Sequence, residues 1–329
     1  MRVKIAEIRK TLETALIKHG VPKEEAKVVA DEYLESELQG KLSHGLMAFP
    51  SAVKKISRKT GKIKILKKTN ALIFIDANAN FGAAVGKKAV NLAVKMAKKE
   101  GVGVVVIKNL TTWLRPGTIA RWIAEKGFLG FVVNSGGWPM VAPPGGYKPV
   151  IGTNPIGIGL PTAKEPLVAD MATSKKAWGE VRLSKKFGHD LPGETFFDKK
   201  GGFAQKSEDA YSALPAGDYK GFALGLFVEI LTGSLIDKPM GPQQMKGDYR
   251  TFTRGGFILV INPQKTTNLK KFKKANTKLF REIKRSPKLK GTKEILMPGE
   301  RAMRTRKKHL EKGSLEVDEK LWEEIRRNS

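Results

Sequence analysis

The stretch Val102 to Ile107 is continuously apolar, rich in Val and Ile, and set between Gly101 and Asn109. A strand that lacks polar alternation has no face to give to water, so it must be covered on both sides. A chain built around it needs a sheet with further layers packed above and below. The neighbouring patterns agree. A β-rich run over Ala71 to Asp76 leads into a helix from about Ala83 to Lys99, and a helix over Gly117 to Lys126 precedes a strand over Leu129 to Asn134. Gly and Pro are dense from 135 to 166, which predicts loops and short strands. Leu224 to Leu235 reads as a buried helix and Gly256 to Ile261 as a core strand. Helical spacing recurs at both ends, in residues 5 to 39 and again over Asn268 to Arg285 and Glu300 to Lys312. The pattern is mixed α/β with helical ends.

With 329 residues, 40% of them hydrophobic, the chain can bury one large core or two ordinary ones. The absence of cysteine excludes disulfides, thiolate catalysis and sulfur-ligated zinc. The histidines at 19, 44, 189 and 309 never fall at metal-ligand spacing, so no metal site is expected. The best apolar run, Gly221 to Ile236, carries Glu229, and no signal peptide is visible, which predicts a soluble cytoplasmic protein without a membrane partner.

Charge is the abnormal feature. The formal net charge is +29, and two stretches hold +23 of it. Lys41 to Lys68 contains nine basic residues and no acid; Lys265 to Lys308 contains seventeen against Glu282, Glu294 and Glu300. One-signed runs of this kind need a counter-charge, and nucleic acid supplies one. Lys54, Lys55, Arg58, Lys59, Lys62 and Lys64 form one candidate patch. Lys270, Lys271, Lys273, Lys274, Arg304, Arg306, Lys307 and Lys308 form the other.

No glycine-rich dinucleotide fingerprint follows a strand, and no phosphate loop or paired-histidine zinc motif is present. His44, in Leu42-Ser43-His44-Gly45 at a helix exit, stands out as a candidate acid/base. Five ordered segments then matter together: Ser43-His44-Gly45-Leu46-Met47, Gly152-Thr153-Asn154-Pro155-Ile156, Asp170-Met171-Ala172-Thr173-Ser174, Tyr219-Lys220-Gly221 and Leu296-Met297-Pro298-Gly299-Glu300-Arg301. In these the chain resembles the malate/L-lactate dehydrogenase-2 family over essentially its whole length. The resemblance implies a non-Rossmann NAD(P)-binding mixed-sheet domain, expected over 71–264. It also implies a helical domain built from both termini, expected over 1–70 with 265–329, and a homodimer. By the same resemblance His44 exchanges the substrate proton, and Asn154, Pro155, Thr173 and Lys220 line the cofactor cleft.

Four positions depart from the family pattern. Leu42 stands where an acid usually precedes the Ser, and Ala48 where an Arg grips the substrate carboxylate. Thr112 stands where a second histidine is usual, and Glu180 replaces a lysine. Together with the charge, these changes predict a pseudoenzyme: a dehydrogenase scaffold requiring no cofactor, with His44 a relic and a basic surface for structured or ribosomal RNA. The alternative is an active NAD(P)-dependent oxidoreductase with an altered small substrate.

Overall fold

The computed structural model describes residues 1–54, 61–111, 115–246 and 253–329. The chain opens with a short strand, β1 (Arg2–Lys4), then α1 (Ile5–Lys18) and, past Val21-Pro22, α2 (Lys23–Leu38). Helix α1 buries Ile8, Leu12, Ala15 and Leu16, a stripe at helical period that fixes its inner face. Two 3₁₀ turns, Leu42–His44 and Leu46–Ala48, lead to the short α3 (Phe49–Val53). The sheet begins with β2 (Lys64–Lys68) and β3 (Leu72–Asp76); α4 (Gly82–Glu100) then crosses to β4 (Val102–Leu110). Helix α5 (Pro116–Glu125) precedes β5 (Leu129–Asn134), and β6 (Ile156–Leu160) and β7 (Leu167–Met171) follow. Next come α6 (Gly179–Phe187), a small ribbon of β8 (Phe196–Phe197) with β9 (Ser212–Ala213), and α7 (Tyr219–Thr232). Strand β10 (Arg254–Ile261), α8 (Leu269–Lys284), α9 (Glu300–Lys312), β11 (Ser314–Glu316) and α10 (Glu319–Arg327) complete the chain.

The main sheet has the strand order β2-β3-β4-β10-β5-β6-β7. Only β3 and β4 run parallel, joined by α4; every other neighbouring pair is antiparallel. The expected run forms β4, which buries Val105, Val106 and Ile107 in the middle of this sheet. Helices α4 and α5 cover one face, with Val90, Ile119 and Ile123 packed against Ile75, Val132 and Ile258. Helix α7 lies on the other, where Val228 meets Val133 and Ile156.

The two chain ends fold as one unit. β1 pairs antiparallel with β11, and Ile5 N donates to Gly313 O at 3.0 Å. Trp322 and Ile325 of α10 join Leu12, Tyr33 and Phe49 in a second core.

Three elements differ from expectation. Lys64–Lys68 is an edge strand of the main sheet, paired with β3, so the sheet starts before residue 70. Helix α7 starts earlier than predicted and is half-covered. Gly221, Gly225, Val228, Glu229 and Thr232 face the sheet, while Leu224, Leu226, Phe227 and Ile230 are exposed. Uniform apolarity hid that one-sided stripe. Tyr219–Ile236 is apolar and long enough to cross a membrane, but Glu229 ties it into the α/β layer. The Glu229 carboxylate accepts from Asn154 Nδ2 (2.6 Å), Gln244 Nε2 (2.5 Å) and Gly241 N (2.8 Å). Third, α8 leans on the α/β layer: Ala163 N donates to Thr277 Oγ1 at 3.2 Å.

The seat of α5 matters most for the site. A Cβ at Gly159 would lie 2.1 Å from Ala120 O, and one at Gly157 would lie 2.5 Å from Pro116 O. Glycine at these two β6 positions lets the helix backbone rest directly on the strand, which fixes where residues 115–118 point.

Candidate active site

Helix α2 ends at Leu38, and Gly40 (φ +71°) turns the chain toward the His44 loop. Leu46 N donates to the Glu37 carboxylate at 2.8 Å, and a Cβ at Gly45 would lie 2.0 Å from that same oxygen. Glycine after the histidine is therefore the residue that admits the Glu37 clamp. Burial pushes the Glu37 carboxyl up from its ordinary value.

His44 is partly buried, with Nδ1 3.0 Å from Ser43 Oγ. Its pKa is lowered to about 3, first by burial and then by the positive charges of Arg115, Arg182, Lys41 and Arg254. The imidazole is thus neutral at pH 7 and stands among four cations. Gly179, at the start of α6, presses on Ser43; a Cβ there would lie 2.5 Å from Ser43 Oγ.

Beside this loop lies a cavity of about 500 Å³ between the end of α2, the start of α5, β7 and the start of α9. Lys41, Arg115, Arg121 and Arg301 line it against the single acid Asp170. Arg115 and Glu32 are both buried, with Thr118 Oγ1 donating to Glu32 Oε1 at 3.0 Å. Burial raises the Glu32 pKa to about 7, against the opposing pull of Arg115.

The sequence-expected cofactor residues divide by role. The Thr173 and Lys220-Gly221 segments do meet: a Cβ at Gly221 would lie 2.6 Å from Thr173 O. Pro155 is half-buried beside Asn154, and Lys220 is exposed in the first turn of α7, its amine 5.9 Å from the Tyr219 ring. Asn154 is fully buried and its amide is already used: Oδ1 accepts from Gly136 N, and Nδ2 donates to Gly225 O and Glu229. Its side chain knits loops together.

Of the four departures, Leu42 is exposed at the start of the 3₁₀ turn and Ala48 packs on the helical core. Glu180 stands 3.5 Å from His189 Nε2. Thr112, like Lys55, Arg58 and Lys59, lies outside the described residues. The remaining basic residues do not form one surface. Lys62 and Lys64 sit at the β2 edge, whereas α8, carrying Lys270, Lys271, Lys273 and Lys274, lies toward the other side, against the chain that follows β6. Lys54 pairs with Glu324, Arg304 with Glu294 and Glu300, Arg306 with Glu35, and Lys307 with Glu311; Lys308 is exposed.

Sequence reasoning missed Glu32, Glu37, Arg115, Arg182 and Arg254. Arg115-Pro116 at a helix start was a readable signal for a backbone position, but nothing in it announced a buried guanidinium.

Comparison with known proteins decides the family. The family model for malate/L-lactate dehydrogenase matches residues 3–326. The chain belongs to the malate/L-lactate dehydrogenase family. Malate/(S)-sulfolactate dehydrogenase of Methanothermus fervidus is 32% identical over 316 residues, covering 93% of this chain and 91% of the relative. Malate dehydrogenase of Pyrococcus abyssi is 31% identical, covering 94% and 89%. Among solved structures, sulfolactate dehydrogenase from Methanocaldococcus jannaschii superposes with TM-score 0.89 at 31% identity, covering 100% of this chain and 96% of that one. Malate dehydrogenase from Entamoeba histolytica gives TM-score 0.94 at 26% identity, covering 100% and 97%.

These relatives overturn the pseudoenzyme expectation. Malate/L-lactate dehydrogenase relatives at about this identity, matched over nearly the full chain, are named as dehydrogenases, and nothing supports RNA or ribosome binding. The expectation that no cofactor is required falls with it. Position 48 lacks the carboxylate-gripping arginine, yet Arg115, Arg182 and Arg254 all bring positive charge to bear on His44.

Proposed function

We propose that this chain is an active NAD(P)-dependent oxidoreductase that interconverts a small 2-hydroxy acid with its 2-oxo acid, with His44 exchanging the proton. The observation that carries this reading is the partly buried, neutral imidazole held among cations beside a cavity lined by four cationic side chains. A dinucleotide fits the donor set of that cavity. Lys41 and Arg301 offer positive charge for its phosphates, and Thr305 lies on the same wall. When bound, the nicotinamide supplies the hydride donor or acceptor.

In the oxidising direction, the His44 tautomer with Nδ1–H toward Ser43 Oγ leaves Nε2 to accept the hydroxyl proton, while the hydrogen on the same substrate carbon departs as hydride. In the reducing direction the proton returns from Nε2 to the carbonyl oxygen. A substrate carboxylate among the arginines cancels part of the positive field on His44 and raises its basicity when the proton must move. The test is a panel of 2-hydroxy acids (malate, lactate, sulfolactate) with NAD⁺ and NADP⁺, following formation of reduced nicotinamide. Turnover of one pair is expected; no turnover with either cofactor refutes the reading.

A homodimer belongs to the same proposal. Leu224, Phe227 and Ile230 leave an apolar stripe on α7 in water, and a second copy would cover it. Light scattering should give twice the chain mass, and Phe227→Glu should halve it.

A further inference from the structure

Arg115 is built into the site in an unfinished way. It is 4% exposed, immediately precedes α5, and lines the cavity. Of its five N–H donors, two are engaged among the described residues: Nη1 donates to Gln39 Oε1 at 2.8 Å and Nη2 to Thr118 Oγ1 at 2.9 Å. The nearby carboxylates do not complete it. Glu32 Oε1 is 3.6 Å from Nε and Asp170 Oδ2 is 3.8 Å from Nη1, both beyond hydrogen-bonding distance. Among the described residues, Nε of Arg115 and Oε2 of Glu32 have no hydrogen-bond partner. Each buried donor without a partner costs about 1–3 kcal/mol. A buried ion pair lacking good hydrogen bonds recovers little of its desolvation cost. The fold itself therefore gains little from this guanidinium; an anionic ligand would gain much.

Position selects which ligand. Arg121, on the same cavity wall, is already satisfied by Glu125, Glu165 and Glu35. Among the cations that bear on His44, Arg115 acts most strongly, and with Lys41 it also lines the cavity. Arg115 shares the cavity wall with Lys41, whose carbonyl accepts from His44 N at 2.9 Å, so a 2-oxo acid reaching toward the imidazole places its carboxylate along that wall. Glycines at 157 and 159 hold α5, and with it Arg115, in that place.

We propose that Arg115 is the specificity-determining residue that binds the substrate carboxylate, in place of the arginine absent at position 48. It reaches the site from the start of α5, whereas Ala48 packs into the helical core. A two-donor fork on a carboxylate would satisfy the guanidinium that the protein leaves incomplete. This assignment rests on the oxidoreductase reading above.

The test uses the full chain and two probes measured separately by titration calorimetry. One is NADH; the other is oxalate, whose planar pair of carboxylates copies the carboxylate and carbonyl oxygens of a 2-oxo acid. Arg115→Gln is expected to weaken oxalate binding in the presence of NADH by about 30-fold or more, and to leave NADH affinity within about threefold. Arg115→Lys keeps the charge opposite Glu32 but not the fork, and should fall between the two. It also serves as the test should Arg115→Gln not fold. Oxalate binding unchanged in both variants overturns the assignment. So does a loss of NADH affinity as large as the loss of oxalate, which would give Arg115 to the cofactor instead. A wild-type chain that binds no oxalate, with or without NADH, overturns it as well. Arginine-dependent oxalate binding without turnover of any 2-oxo acid would leave the carboxylate site standing and sink only the oxidoreductase reading.

Discussion

Replacing His44 with asparagine should change how stability responds to acid. In the folded protein the imidazole pKa is depressed to about 3 by burial and by Arg115, whereas the ordinary value is 6.5. Between those values the unfolded chain binds a proton at His44 that the folded chain refuses, so unfolding gains ground as the pH falls. The stabilising contribution is complete above 6.5 and is lost progressively below it, at about 1.4 kcal/mol per pH unit. Acidifying to about pH 5 should therefore withdraw about 2 kcal/mol through this residue. The wild-type profile alone hides the effect, because buried Glu32 works the other way. Its pKa is raised to about 7 from 4.5, so its contribution is full below 4.5 and is lost as the pH rises through 7. The variant isolates one from the other. Urea unfolding of wild type and His44→Asn at neutral pH and at about pH 5 should show the variant losing about 2 kcal/mol less on acidification. Two parallel profiles would refute the neutral, cation-surrounded histidine on which the chemistry depends.

Other consequences follow from particular contacts. Glu32→Gln removes the opposing titration, so its stability relative to wild type should rise steadily as the pH is raised from 4.5 to 7, measured in the same urea series. Gly159→Ala would drive a methyl to 2.1 Å from Ala120 O; displacing α5 from β6 should cost roughly 1–3 kcal/mol and weaken oxalate binding by moving Arg115, read by thermal melting and calorimetry together. Glu229→Ala leaves Asn154 Nδ2, Gly241 N and Gln244 Nε2 facing an absent acceptor, and should lower stability by about 3–5 kcal/mol in chemical denaturation.

The elements legible in the sequence were those whose pattern is local. Val102 to Ile107 could only be an inner strand, and Leu129 to Asn134 forms β5 as spaced. The strand Lys64–Lys68 is hidden in a charge run, since three of its five residues are lysine and all five are exposed; only its pairing with Ile73 to Asp76 makes it a strand. Helix α7 inverts the usual pattern: its packed stripe is Gly221, Gly225, Val228, Glu229 and Thr232, while its large apolar residues Leu224, Phe227 and Ile230 stay exposed, so apolarity does not mark the buried face.

The site divides the same way. Ser43-His44-Gly45 is readable because three consecutive residues carry it, whereas the Glu37 clamp that holds them is visible only in the fold. The cationic surroundings of His44 are not readable, since Lys41, Arg115, Arg182 and Arg254 come from four separate segments that only the fold brings together. The residue at position 48 says nothing of a guanidinium such as Arg115, which enters the cavity from the start of α5.

The most direct test of the account is the 2-oxo-acid-dependent oxidation of NADH or NADPH by the wild-type chain and by His44→Ala, purified side by side. Steady oxidation that falls by roughly 10²–10⁴-fold in the variant, with nicotinamide binding retained, is the predicted result. Oxidation at equal rates in both, or in neither, would contradict the proposal that His44 serves a working dehydrogenase.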